Sequence, residues 1–374
     1  MAKAAFNPSP ARIKVIGLGG GGCNAITRMV REQIRGVEFI GMNTDAQALS
    51  ITEAPIRVQL GEKLTRGLGV GGDHNAGQKA AEETRDEIKE LLTGADMVFI
   101  TCGRGGGTGT GAAPVVAEVS KQTGALTIAV VTKPFTFEGV HRNEVADEGI
   151  VRLLGKVDTL IIIPNDRLLD LCDSKTAVDN AFKMADDVLR HGVQAIAEVI
   201  TVPGLINLDF ADVKTVMRDA GPAWMSIGFG SGKNRAVEAA KEALASPLLD
   251  VTIAGAKGVL FNVAGGTGLT LFEVNEAADV IKEAVDVGAN IIFGVVQDPT
   301  MGDEMRITLI ATGFASKLGM AGVSREDEFT ELLKGLKSEE ELDMPAFLRR
   351  PMFSHRRQAV TQSTKLVKTR PGVP

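Results

Sequence analysis

Tyrosine is absent from the 374-residue chain, tryptophan occurs once and cysteine three times. Each scarcity excludes something. With phenylalanine as almost the sole aromatic, there is no platform of rings on which single-stranded nucleic acid could stack. A net charge of −6 likewise argues against a nucleic-acid-binding body. Cys23, Cys102 and Cys172 lie far apart, form no CxxC and have no ligand spacing, so they read as free thiols of a reducing compartment. The four histidines are scattered and make no metal motif. No apolar run is long enough to span a bilayer, and residues 1–10 lack the apolar core of a signal peptide, so a cytoplasmic protein is expected. Acidic residues end at Asp343; beyond it Arg349, Arg350, Arg356, Arg357, Lys365, Lys368 and Arg370 make a basic end.

Glycine is what the chain has in quantity, and its placement organises the rest. Residues 103–114 read GRGGGTGTGAAP, between an apolar run (97–101, MVFIT) and a stretch that can start a helix. A loop so poor in side chains brings backbone N–H groups close to a ligand, and at the mouth of a helix those amides attract phosphate. Taken alone, such a loop is equally a tight turn. A second one, 17–24 (GLGGGGCN), also follows directly on a strand-like run (13–16, IKVI). Two glycine cradles after two strands point to a nucleotide with several phosphates.

In order, the β-rich runs 13–16, 37–42, 97–101, 126–131 and 160–163 alternate with amphipathic segments at 23–34, 75–92 and 112–122. That alternation predicts an α/β, Rossmann-like parallel sheet covered on both faces, with ligand at the carboxyl ends of its strands. The loop 64–77 either closes over phosphates or is plain surface. A long helix is predicted over 176–200 from the stripe Val178, Ala181, Phe182, Ala185, Val188, Leu189, Val193, Ile196 and Ile200, stopped by Pro203-Gly204. Strand runs 225–229, 259–263, 291–296 and 306–311 then alternate with helical 233–244 and 271–285 as a second, smaller α/β domain. The expected organisation is therefore 1–175 nucleotide domain, 176–203 connecting helix, 204–316 second domain, 317–341 acidic linker and 342–374 docking peptide with a basic, disordered tail.

Gly17, Gly19 and Gly22 with Asp45 fit a dinucleotide fingerprint, which makes a dehydrogenase the rival reading; that fingerprint needs only one glycine loop. GFGSGK at 228–233 has the wrong spacing for a Walker A. GGGTGTG at 105–111, NTDAQAL at 43–49, LTRGLG at 64–69, FTFEG at 135–139 and PGLINLDFADV at 203–213 together resemble the tubulin/FtsZ superfamily of GTPases, in particular its bacterial cell-division members, over almost all of 13–314.

The resemblance implies a self-assembling GTPase that binds GTP/GDP with Mg²⁺ carried by the nucleotide, stacks head to tail with itself and builds a division ring under the membrane at mid-cell. It implies that Gly20, Gly21, Gly22, Gly107, Thr108 and Gly109 cradle phosphates, and that Glu138 and Arg142 hold ribose and phosphate. Phe182 and Asp186 would meet guanine, with Asn24 and Cys23 beside the base. Asn207, Asp209 and Asp212 would position the attacking water in a neighbour's site. DMPAFLRR (343–350, Asp343 to Arg350) resembles the family's peptide for membrane-anchoring and regulatory division proteins, and the basic end can add weak anionic-lipid contact. Each role has a plainer counterpart. Glu138 and Arg142 make an i, i+4 surface pair, Phe182 packs in the core, and Asp209 caps a helix with Asp212 as its partner.

Overall fold

The computed structural model describes residues 11–170, 177–202, 204–248 and 253–314. Cys172, the expected linker 317–341 and the expected peptide and tail 342–374 lie outside the described residues, as does Pro203.

The strands are β1 (Ile13–Leu18), β2 (Val37–Asn43), β3 (Ile56–Gln59), β4 (Met97–Gly103), β5 (Leu126–Lys133), β6 (Thr159–Pro164), β7 (Gly221–Ser231), β8 (Gly258–Gly265), β9 (Asn290–Gln297) and β10 (Glu304–Thr312). They form one ten-stranded sheet in the order β3-β2-β1-β4-β5-β6-β7-β10-β8-β9. β3 to β7 run parallel, as runs apolar on both faces require. β10 is antiparallel to both β7 and β8, and β8 and β9 are parallel. The two halves expected from the sequence thus share one sheet, joined where Thr159, Leu160 and Ile161 of β6 pair with Gly221, Pro222 and Ala223 of β7.

Helices α1 (Gly19–Arg31), α2 (Ala46–Ser50), α3 (Glu62–Thr65), α4 (His74–Glu83), α5 (Arg85–Leu92), α6 (Gly107–Gln122), α7 (Val140–Leu154), α8 (Asp166–Leu169), α9 (Val178–Thr201), α10 (Phe210–Met217), α11 (Arg235–Ala245) and α12 (Leu271–Glu283) complete the fold. The segment expected as one helix over 75–92 is two, broken at Thr84. Its hydroxyl accepts the Gly61 N–H at 3.0 Å and donates to the Ala80 carbonyl at 3.1 Å. That side chain offers the backbone an alternative to continuing the helix.

α9 buries Ala181, Ala185, Val188, Leu189, Val193 and Ile196, as its periodicity requires. All of these but Ala181 pack with Ile26 and Met29 of α1, Val130 of β5 and Met225 of β7 in one core. A second core gathers α11, α12 and β8 to β10 around Phe261, Ile281 and Leu309. Fully burying each such aliphatic side chain contributes about 1.5–3 kcal/mol. At 1.5 Å per residue, α9 reaches about 36 Å.

Candidate functional site

β1 and β4 are neighbours from which the sheet is extended in opposite directions, so their carboxyl ends open a crevice at the switch point. β1 runs straight into α1 at Gly19, and β4 leads through Arg104, Gly105 and Gly106 into α6 at Gly107. Neither helix is capped by a side chain, and neither carries an acidic residue in its first turn. The leading amides of both are therefore open to an anion, with the two helix dipoles adding to the attraction. The two loops also touch: a Cβ placed on Gly19 would stand 3.0 Å from the Gly109 nitrogen. Gly19 and Gly105 sit at φ of +68° and +87°, where a side chain is strained. Gly20 and Gly21 are exposed, Gly22, Gly107 and Gly109 buried, and Thr108 half-buried with its hydroxyl 2.6 Å from that of Thr44. The loop 64–77 packs here, since a Cβ on Gly107 would lie 2.5 Å from Val70 Cγ2 and 3.1 Å from the Asp73 nitrogen.

Beside the α1 loop lies a ring cluster. Phe182 of α9 stands edge-on to Phe135 at 5.4 Å and to Phe137 at 6.5 Å. It is 41% exposed, so the core role that its place on the apolar stripe allowed does not hold. One turn on, Asp186 faces Arg28 of α1 at 3.5 Å, and Arg28 reaches Asp187 at 3.1 Å. Burial pushes the Asp186 carboxyl up to about 6, with Arg28 opposing the rise and Asp187 adding to it. Asn24, exposed and one turn before Arg28 on α1, shares this end of the crevice. A half-buried carboxylate with an exposed ring beside it can read the edge and the face of a planar base.

Glu138 ends a 3-10 turn (Thr136–Glu138) and Arg142 sits in the first turn of α7. They pair with each other at 2.9 Å, and Glu138 also accepts the Phe135 N–H at 2.9 Å. The carboxylate thereby fixes the loop that carries the rings. Cys23 faces inward: its thiol donates to the carbonyls of Gly17 at 3.7 Å and Met42 at 3.8 Å, and burial pushes it up to about 11. Its side chain therefore stands against β1 and β2, and only its amide lies at the first turn of α1. Asp45, the ribose ligand of the dehydrogenase reading, is instead the N-cap of α2, accepting from Gln47 and Ala48 at 2.8 and 3.0 Å.

Asn207, Asp209 and Asp212 gather at the other end of α9, exposed, around the start of α10. From Asp186 to Thr201 the helix climbs about 22 Å at 1.5 Å per residue. Asn207 Oδ1 accepts from the Gly204 N–H at 2.6 Å. Asp209 does stand at the N-cap position, yet its side chain makes no capping bond with α10. The cap reading accounts for its place and not for its carboxylate.

Three residues of the crevice were not read from the sequence. Arg28 sits four places after Asn24 on the same helix face, which is the signal that was there to use. Phe137 stands in FTFEG, and Thr44 in NTDAQAL, as stretches noted without a role for either side chain.

The chain matches the Tubulin/FtsZ family, GTPase domain, over residues 12–173 and the FtsZ family, C-terminal domain, over 221–315. An empty FtsZ dimer from M. jannaschii is 45% identical, with 86% of this chain and 96% of that one covered at a TM-score of 0.81. An FtsZ mutant from M. jannaschii is 48% identical over 82% and 92% of the two chains at 0.79. A GTPγS-bound protofilament of CetZ2 from Haloferax volcanii shares the fold at 18% identity, covering 88% and 99% at 0.70.

Proposed function

The chain belongs to the FtsZ family of tubulin-like GTPases, and from that premise we propose that it hydrolyses GTP at a site shared between two copies stacked head to tail. Membership does not assign a bacterial source. The observation that carries the reading is the pair of uncapped helix ends at the switch point of the sheet, that of α1 at Gly19 lying against Thr108 and Gly109 in the first turn of α6. They favour a chain of phosphates, held by the amides of Gly20, Gly21, Gly22, Gly107, Thr108 and Gly109. Asp186 accepts from guanine N1–H and its amino group, and Phe182 covers the ring. Glu138 and Arg142 take ribose and phosphate once their mutual pair opens.

Asp209 and Asp212 stand past the far end of α9, too far to reach that nucleotide; both are exposed, and the Asp209 side chain makes no capping bond with α10. They therefore serve the nucleotide of the next copy, with Asn207 bracing their loop. Their carboxylates orient the attacking water, and little further chemistry is needed for phosphoryl transfer. A contact between two different surfaces builds an open filament, which supports a cytoskeletal polymer. The dimer and protofilament among the relatives support self-association.

Mg²⁺ fits as an ion brought by the nucleotide. Among the described residues no three His, Cys, Asp or Glu side chains cluster to hold a metal, and the two phosphate loops offer amides and the Thr108 hydroxyl. When bound, Mg²⁺ neutralises phosphate charge and is held mainly by phosphates and water. Among the described residues no helix is long and apolar enough to cross a membrane. Placement in the cytoplasm beneath the division site, through adaptors taking 343–350 and with help from the basic end on anionic lipid, completes the reading. The purified chain should sediment with GTP and disperse as phosphate is released. Sedimentation without phosphate release would mean a polymer that does not turn over, and release without sedimentation would overturn the shared site.

A further inference from the structure

Arg104 follows β4 directly, and its side chain turns back beneath the first turn of α6 instead of reaching solvent; the residue is 3% exposed. Its backbone N–H donates to the Thr132 carbonyl of β5 at 2.9 Å, which ties it to the end of the sheet. Its Nη1 donates to the Gly109 carbonyl at 3.0 Å and meets the Cys102 sulfur at 3.8 Å. One residue on, the Gly105 N–H donates to the buried Thr110 hydroxyl at 2.9 Å. Two side-chain bonds, each joining residues five apart, therefore close this glycine loop at its base. The Gly109 backbone is held from behind by Arg104, while its nitrogen faces Gly19 across the crevice.

Nε and Nη2 of Arg104 are sealed inside the fold with no hydrogen-bond partner. A Cβ on Gly149 of α7 would stand 2.4 Å from both Arg104 Nη2 and Thr110 Cγ2, so no side chain fits there while the guanidinium is in place. Glycine inside a helix weakens it, and this one leaves room for Arg104. Burial works most strongly against the charge, the Cys102 thiol supports it and Arg152 repels it; no carboxylate is among the groups acting on it. A cation so enclosed is costly unless negative charge answers it. On the other side of Gly109 lies the uncapped first turn of α6, open to an anion.

We propose that Arg104 is a positioning residue for phosphate: from behind α6 it holds Gly109 so that the amides of 107–109 face the nucleotide, and its enclosed charge adds to the helix dipole there. This role rests on the reading of that turn as part of the phosphate cradle. Arg104 touches no phosphate itself. A buried charge is screened far less than an exposed one, so it acts across the turn, and it acts more on a ligand with more phosphates.

The test compares GDP with GMP by calorimetric titration of the full chain. The wild type should bind both, GDP more tightly. Arg104→Met keeps the bulk and removes donor and charge. It should weaken GDP by about tenfold or more, the order of a lost charge-assisted contact, and GMP by less than about threefold. A side chain that only filled the core would lower the melting temperature and weaken both nucleotides alike. Gly149→Ala should displace the guanidinium and weaken GDP in the same selective way; if Arg104→Met does not fold, that variant decides. Wild-type GDP affinity in the deciding variant, or equal losses of GDP and GMP, overturns the proposal. A wild type that binds no GDP at all would bring down the phosphate reading itself, and the proposal with it.

Discussion

Arg28 Nε of α1 stands 3.5 Å from Asp186 Oδ2 of α9, while the same guanidinium is closer, at 3.1 Å, to Asp187. The geometry leaves Asp186 the less firmly paired carboxylate of the two, and burial pushes it up to about 6. Guanine binding uses its ionised form, so GDP affinity should fall as pH drops below about 6. Asp186→Asn should flatten that profile and cost about one to two decades in affinity, the loss of a charged hydrogen bond of roughly 1.5–3 kcal/mol. The linkage to stability has the opposite sign. A raised carboxylate pKa gives a contribution present below the unfolded value and lost as pH rises through about 6, so the nucleotide-free protein should gain stability from Asp186→Asn at pH 7. Fluorescent-GDP titrations and melting curves from pH 5 to 8 read both. A pH-independent GDP affinity in the wild type would remove Asp186 from the base.

Turnover per molecule should rise steeply with protein concentration above a threshold. Asp212→Ala should bind GTP as before and not hydrolyse it. Thr108→Arg should keep the acidic loop and lose the nucleotide. Mixing the two dead variants should restore turnover, because the first presents GTP to the second's intact Asp209 and Asp212. Normal hydrolysis by Asp212→Ala alone would sink the shared site.

Asp45→Ala tests the cap against the ribose contact. It removes two bonds to the first turn of α2 and should lower stability by about 1 kcal/mol, with GTP affinity nearly unchanged. A large loss of nucleotide binding without a change in melting would return Asp45 to the ligand.

The fold was legible where pattern and burial agree. The parallel strands are apolar on both faces, and the stripe of α9 is the seam between α1 and β5. β3 escaped because Ile-Arg-Val-Gln is short and half polar, fit only for an edge. The break at Thr84 escaped because it depends on Gly61, distant in sequence. In the candidate site, glycine spacing carried the two glycine loops at the switch point, since bringing backbone amides close together needs only small residues in order. Side-chain direction was not legible. Phe182 lies on the buried stripe and yet emerges, and Cys23 sits at the glycine loop after β1 and yet points at β2. Position along a helix fixes a face to within one residue, and at the edge of a stripe the neighbouring elements decide. Arg28 and Asp186 are far apart along the chain and are joined only by the packing of α1 on α9.

Thiol labelling checks the inward cysteines. Burial raises both Cys23, to about 11, and Cys102. In a Cys172→Ser background the folded protein at pH 8 should resist a disulfide-exchange reagent, and should release two equivalents of thiol on unfolding. Rapid labelling of the native form would show that the α1 loop opens.

Deleting 342–374 should leave GTP turnover and thermal stability nearly intact, and should abolish capture by a membrane-anchoring adaptor. A large drop in melting temperature would show instead that the segment packs on the body. With the full chain, vesicle binding should strengthen with anionic lipid, at roughly 1 kcal/mol per basic residue near the surface.

The position of β10 has a consequence for how the chain emerges during synthesis. β10 is the last strand described, and it lies between β7 and β8, pairing with each. Until residues 304–312 leave the ribosome, β7 and β8 each hold out a bare row of amides and carbonyls. The parallel half, β1 to β6 with α9 across it, can close much earlier. For the time needed to make the residues between β7 and the end of β10, the nascent protein therefore carries unpaired strand edges, the state most open to pairing with another copy. Stalled or truncated chains ending before 304 should be the ones that aggregate, whereas chains ending after 312 should not.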